Sequence, residues 1–230
     1  MVINTNVGAL STMRTLSENT NKLNKALSRL ASGSKIVSPA DDAAGLAVAS
    51  KFDAQISRNR GVASNLTSAL SFSQTQDGFL QKVGKALDRM SELATLALDT
   101  TKSTNDITNY NTEFTDLKSY ISDIGTKKFN GVTLFDGTAL AITKDSDGGT
   151  WSLNSSSLNA VDITSVIASA FAVSSTNAVS TINTAIENVA THRAKIGANI
   201  QRIQYTQEQV SILNENLQAS VSRIKDVDVA

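Results

Sequence analysis

The side chains able to do chemistry in this chain of 230 residues are few. There is a single histidine, His192, and no cysteine, which removes thiolate nucleophiles, disulfides and most zinc sites and leaves no His-Glu-x-x-His helix for a metalloprotease. His192 falls at a g position of a heptad beside Arg193 and reads as a surface or helix-packing residue. Asp145, Asp147 and Gly148 have the beginning of a calcium loop, but the glycine is misplaced and the twelfth position from Asp145 is Ser156 rather than Glu, so a polar hairpin turn is preferred. Arg89 and Glu92 stand three residues apart on the helix face opposite Leu87, Met90 and Ala94, with Leu93 at the stripe's edge, and form a solvated ion pair. None of these is a catalytic constellation: no enzyme, no cofactor and no metal are expected.

Composition points the same way. Lys plus Arg number 21 against 21 Asp plus Glu, so no basic field is available to a nucleic acid backbone. No apolar run reaches the ~20 residues that cross a bilayer, and residues 1–10 lack the layout of a cleaved secretory signal. Nucleic acid and membrane insertion are both excluded as expectations. Aromatics are only 5%, which favours helices packed through small and medium side chains.

The elements that hold these residues are long helices. Over 179–224 the positions Val179, Ile182, Ile186, Val189, Arg193, Ile196, Ile200, Ile203, Gln207, Val210, Asn214, Leu217, Val221 and Ile224 alternate spacings of three and four. At ~1.5 Å per residue such a helix is about 70 Å long, which implies an assembly protein before an enzyme. Its polar positions, Arg193, Gln207 and Asn214, read as register devices in preference to defects in a dimeric zipper. A first helix over 4–32 carries Leu10, Met13, Leu16, Leu23, Leu27 and Leu30 on one stripe and ends at Gly33, and 32–37 form a short spoke, extended or turned. A second helix is expected to start at Pro39, with Ser38 as its cap and Asp41 and Asp42 in its first turn, and to run to Thr100; its latter half has heptad spacing at Leu80, Val83, Leu87, Met90, Ala94 and Ala97. Gly61, Gly78 and Gly84 each weaken it by about 1 kcal/mol relative to Ala. A third stripe, Ile107, Tyr110, Phe114, Leu117, Ile121 and Ile124, closes at Gly125. Asn130-Gly131, Asp136-Gly137 and Asp147-Gly148-Gly149 then give hairpin signals, and 155–176 reads as loop with a short helix near 165–172. The fold expected is mainly α: an elongated antiparallel bundle of long, coiled-coil-like helices with a small β-hairpin region at its tip. The first helix is left over, and its unburied Leu stripe is an association surface.

Several stretches together resemble bacterial flagellins: Ile3-Asn4-Thr5-Asn6, residues 29–36 (RLASGSKI), residues 38–49 (SPADDAAGLAVA), residues 128–132 (KFNGV), residues 193–198 (RAKIGA) with Arg202, and residues 222–228 (SRIKDVD). The resemblance covers about 1–135 and 179–230. It implies a structural subunit of an extracellular helical filament used for motility, a homo-oligomer exported without a cleaved signal by the flagellar type III machinery and assembled beneath a cap. It also implies a division into 1–40 (inner-tube helix and spoke), 41–125 (rod helices), 126–173 (hairpin and loop tip) and 174–230 (C-terminal rod helix, in the same domain as 41–125). With only about fifty residues between Gly125 and Ser174, a separate outer domain is not expected, and the filament would be thin. Assembly contacts are expected at Leu16, Leu23, Leu27, Leu30, Asp41, Asp42 and Gly45. Residues 88–93 resemble the surface read by the vertebrate innate receptor for flagellin, which makes Arg89, Glu92 and Leu93 candidate receptor-facing residues, with Ser91 where many recognised flagellins have a basic residue. Thr150 and Ser155 to Ser157 form a hydroxyl cluster where some flagellins are O-glycosylated. The family continues past the motif that ends here near Ala230 into a terminal helix that pairs with the first one, so a truncation is expected in preference to a short paralogue that relies on others. Alternatives are the hook–filament junction protein, which shares both termini, and a secreted flagellin-like ligand of host receptors.

Overall fold

The computed structural model describes residues 6–153, 163–167 and 172–228. Five helices and four short strands follow in the order α1 (Val7–Ser32), α2 (Ala43–Ala97), α3 (Thr104–Gly125), β1 (Lys128–Phe129), β2 (Val132–Thr133), β3 (Ala141–Thr143), β4 (Thr150–Ser152), α4 (Ile163–Ile167) and α5 (Ala178–Lys225) among the described residues. The chain divides into two compact units, one of Met1–Arg60 with Ser211–Ala230 and one of Gly61–Val210. The boundaries expected at 40, 125 and 173 follow element ends, whereas these boundaries fall inside α2 and α5.

In the second unit the heptad explains the packing. Ile182, Val189, Ile196, Ile203 and Val210 recur every seven residues along α5 and are all buried. On α2 two such columns are buried, Leu66, Ser73, Leu80, Leu87 and Ala94 in one, Val62, Ala69, Gln76, Val83, Met90 and Ala97 in the other. The repeat therefore extends back from Leu80 through polar and small residues that conceal it in the sequence. α3 adds Phe114, Ile121 and Ile124 to the same core, and α4 contributes Val166. The N-terminus of α3 is fixed by a reciprocal capping box: Ser103 accepts from the Asp106 N–H at 3.3 Å and donates its own N–H to Asp106 at 3.0 Å.

Two antiparallel hairpins close the unit. In the first, Lys128 pairs with Thr133 and Phe129 with Val132. Asn130 and Gly131, at φ 49° and 83°, make the two-residue turn with both central residues left-handed, matching the twist of paired strands. Phe129 meets Phe72 edge to face at 5.9 Å, and Gln76 donates from Nε2 to the Leu134 carbonyl at 2.5 Å. In the second, Ala141 to Thr143 pair with Ser152 to Thr150, and Ile142, Trp151 and Leu153 cover Val62, Leu66, Ala69, Ile203 and Val210. The Asp145 carboxylate accepts from the N–H groups of Asp147 (3.1 Å) and Gly149 (2.7 Å), so this segment is the polar turn expected.

In the first unit α1 begins at an Asn6 cap, whose side chain accepts from the Ala9 N–H at 3.2 Å, and ends at Gly33 in the left-handed region, φ 67°. The expected start of the second helix at Pro39 is corrected to Ala43. Ser38, Pro39, Ala40 and Asp41 form a turn closed by the Asp41 N–H to the Ser38 carbonyl at 3.0 Å, with proline at the position whose φ it presets. Asp42 then caps α2, accepting the Gly45 N–H at 2.8 Å on its side chain and the Leu46 N–H at 3.0 Å on its carbonyl. The far end of α2 is Ala97 rather than Thr100. The short helix expected near 165–172 is found at Ile163–Ile167, and 168–171 lie outside the described residues.

Candidate functional site

None of the residues of α1 is buried. Its apolar stripe is exposed along its whole length: Leu10 57%, Met13 69%, Leu16 67%, Leu23 59%, Leu27 53% and Leu30 54%. The four leucines expected to make assembly contacts thus share one exposed amphipathic face. Such a face leaves most of the transfer free energy of its side chains unspent.

The other three expected assembly residues do something different: they build the junction between α1 and α2. Asp41 is the hub. Its side chain is only 5% exposed, accepts the N–H groups of Val37 and Ser38 at 3.2 Å each, and is paired with Lys25 and, at 3.5 Å, with Arg29. The hydrogen bond from Lys25, with the two backbone donors, holds its carboxyl down at about 2 against desolvation. Asp42 caps α2, and Gly45 is where that cap leaves no room. A Cβ there would lie 2.4 Å from Asp42 Oδ2 and 3.2 Å from Ile36 Cδ1, so any larger residue displaces the capping carboxylate or the buried Ile36.

The spoke makes a contact that motif reading missed. Lys35 donates its N–H to the Lys225 carbonyl at 2.6 Å, Val227 donates to the Gly33 carbonyl at 3.1 Å, and Ser34 bridges to Asp226. Ser34 Oγ lies 3.0 Å from the carbonyls of both Ile36 and Lys225, its one hydrogen shared between them. Lys225 in turn reaches Asp53 at 2.6 Å. Two stretches almost two hundred residues apart, each singled out by resemblance, are thus backbone partners. For the Asp41 hub, by contrast, Lys25 and Arg29, one helical turn apart on α1, were the available signal.

Arg89 lies on the exposed face of α2 as expected, bonded to Glu92 at 2.7 Å and, through two parallel hydrogen bonds of 2.6 and 3.0 Å, to Glu113 on α3. Glu113 is the partner the spacing could not reveal; the hydrogen bond from Arg89 holds its carboxyl below the usual value. Leu93 is corrected: it is 0% exposed and belongs to the core, because α3 packs beside the α2 columns and widens the buried stripe by one position. The polar heptad positions are half-buried: Arg193 pairs across the helices with Asp77 at 2.8 and 3.3 Å and Gln207 with Thr67 at 3.3 Å, while Asn214 has a buried Oδ1 with no hydrogen-bond partner among the described residues. His192 is partly buried, and burial, with Lys195 nearby, lowers its pKa. Among the described residues no group of His, Cys, Asp and Glu could hold a metal ion. Of the hydroxyl cluster, Thr150 lies in β4, while Ser155 to Ser157 lie outside the described residues.

The chain matches the profile of the bacterial flagellin N-terminal helical region over 3–139 and that of the C-terminal helical region over 179–230. It is 34% identical to a flagellin of Halalkalibacterium halodurans over 100% of this chain and 87% of the relative, and 30% identical to a flagellin of Bacillus subtilis over 100% and 88%. Among solved structures it is similar to a flagellin of Bacillus cereus (TM-score 0.56, 24% identity, 64% of this chain and 88% of that one). It is also similar to a flagellar hook-associated protein of Vibrio parahaemolyticus (TM-score 0.69, 15% identity, 81% and 100%). At these identities the two structures speak for the fold alone.

Proposed function

Because the chain belongs to the bacterial flagellin family, we propose that it works by burying the α1 stripe, with Leu16, Leu23, Leu27 and Leu30 as its contact residues, against neighbouring copies. The family is one of structural proteins, and this chain is a structural subunit of the flagellar filament, a polymer outside the cell. The observation that carries the assembly reading is the exposure of the α1 leucines, which have no partner among the described residues. Asp41, Asp42 and Gly45 serve assembly by aiming that helix: the Asp41 hub and the Asp42 cap fix how the chain turns from α1 into α2. The family reading entails two further partners, the flagellar export machinery and the filament cap, with export proceeding without a cleaved signal. It also offers Arg89 and Glu92 to a host innate receptor, with Leu93 acting from beneath as support. Among the described residues no helix is long and apolar enough to cross a membrane.

The test is polymerisation of the purified chain seeded with filament fragments, followed by sedimentation and electron microscopy. Filaments in which cross-links form between α1 helices of neighbouring copies are expected. Polymer that forms while α1 stays open to protease would overturn the assignment of the stripe.

A further inference from the structure

The second hairpin and α5 enclose a groove of about 640 Å³ inside the second unit that no assembly argument uses. Its wall is chemically mixed. Arg202 holds its guanidinium carbon 4.2 Å from the centre of the Trp151 ring, and Lys144 stands beside it at the end of β3. Tyr205 is 63% exposed, with Gln201 and Gln209 completing the α5 side.

The charges are the informative part. Among the described residues Lys144 and Arg202, both exposed, have no carboxylate partner, whereas the half-buried Arg193 and Lys225 each have one. Asp145, the one acid on the groove wall, has Oδ1 committed to the loop N–H groups of Asp147 and Gly149. The stacking on Trp151 holds Arg202 in place while leaving its N–H donors without acceptors among the described residues. A planar carboxylate is the group that fork of donors fits best, and Lys144 adds a second positive charge beside it. Around this pair the wall supplies an exposed aromatic ring and amide side chains, which both donate and accept. The volume lies within the range that encloses a small ligand.

We propose that this groove binds an acidic saccharide, its carboxylate on Arg202 and Lys144, its hydroxyls on Gln201 and Gln209, and a sugar face on Tyr205. This goes beyond the filament reading and does not depend on it.

Trp151 is the chain's single tryptophan and sits under the proposed carboxylate site, so its fluorescence reads the groove directly. The experiment titrates the full chain with digalacturonate, with neutral lactose and with a short oligoglutamate. A saturable fluorescence change with digalacturonate, at a Kd on the order of 1 mM, is expected. It should weaken about tenfold or more in Arg202→Gln and in Lys144→Gln, variants whose circular dichroism should match the parent, and weaken in Tyr205→Ala. Equal response to lactose would refute the charge reading, and tighter binding of oligoglutamate would make the groove a peptide site instead. No saturable change with any probe would overturn the proposal outright. Seeded polymerisation of Arg202→Gln, run in parallel, is expected to be unchanged, which separates this site from filament assembly.

Discussion

The double variant Leu23→Ala, Leu27→Ala tests whether the α1 stripe is an interface or merely an exposed face. Complete burial of a leucine contributes about 1.5–3 kcal/mol. With 59% and 53% of these residues still exposed, assembly has roughly half of that left to gain at each, about 0.8–1.8 kcal/mol. Losing both removes about 1.6–3.6 kcal/mol per subunit, and at 1.4 kcal/mol per tenfold the critical concentration for seeded growth rises roughly 15- to 400-fold. The isolated chain should hardly notice, because neither side chain contributes to a core; its unfolding free energy in urea should stay within about 0.5 kcal/mol of the parent. Sedimentation of polymer at graded subunit concentrations gives the first quantity and urea unfolding followed by Trp151 fluorescence gives the second. A large drop in monomer stability with unchanged critical concentration would refute the reasoning, since the stripe would then be packed within the chain.

Three further substitutions read the other structural claims. Ser73 is 0% exposed and its hydroxyl has no partner, although Thr67, Ser68, Ser71 and Thr75 on the same helix all donate to the carbonyl four residues back; Ser73→Ala should stabilise the second unit by about 1–3 kcal/mol in urea unfolding, and destabilisation would mean the hydroxyl is satisfied. Leu93→Ala should destabilise by about 2–5 kcal/mol and Arg89→Ala by less than about 1 kcal/mol, so equal losses would contradict the burial of Leu93 beneath an exposed ion pair. Asp41 has its folded pKa lowered from 3.8 to about 2, chiefly by the Lys25 hydrogen bond, so its contribution is complete above pH 3.8 and is lost as pH falls toward 2. Amide exchange at Val37 and Ser38 should therefore accelerate through that window in the parent, and in Asp41→Asn it should be fast throughout; a parent protected equally at pH 5 and pH 2 would remove Asp41 as the hub.

The long helices were legible because burial follows their periodicity. α5 was expected over 179–224 and spans Ala178–Lys225, and the stop of α1 at Gly33 needed only the left-handed cap. The first half of the α2 repeat was not legible, because Ser73 and Gln76 occupy core positions that a hydrophobic pattern reads as surface. Gln76 earns its place only through the Leu134 carbonyl, a partner fifty-eight residues away. The start of α2 was misplaced for a local reason: Ser-Pro-Ala-Asp-Asp satisfies both a helix cap at Ser38 and a turn followed by a cap at Asp42, and the contacts of Asp41 with Lys25 and Arg29 select the second. Leu93 illustrates the same limit, since the width of a buried stripe depends on which neighbour packs there.

Leu23 and Leu87 make the point about function most sharply. Both are leucines on helical stripes of similar spacing, yet one is 59% exposed and the other 0%. A residue whose apolar surface is already buried inside the chain has nothing left to offer a neighbour, so the two columns of α2 can support stability but not association. The α1 leucines are the reverse case. On the proposed reading, assembly energy comes from side chains that fold without partners, and the Asp41 junction, by setting the direction of α1, would decide where that energy is delivered. Truncating Leu87 should lower the stability of the monomer and leave the critical concentration of what remains folded unchanged, whereas truncating Leu23 should do the opposite; a pair of variants that moved both quantities together would show that folding and association in this chain are one transition.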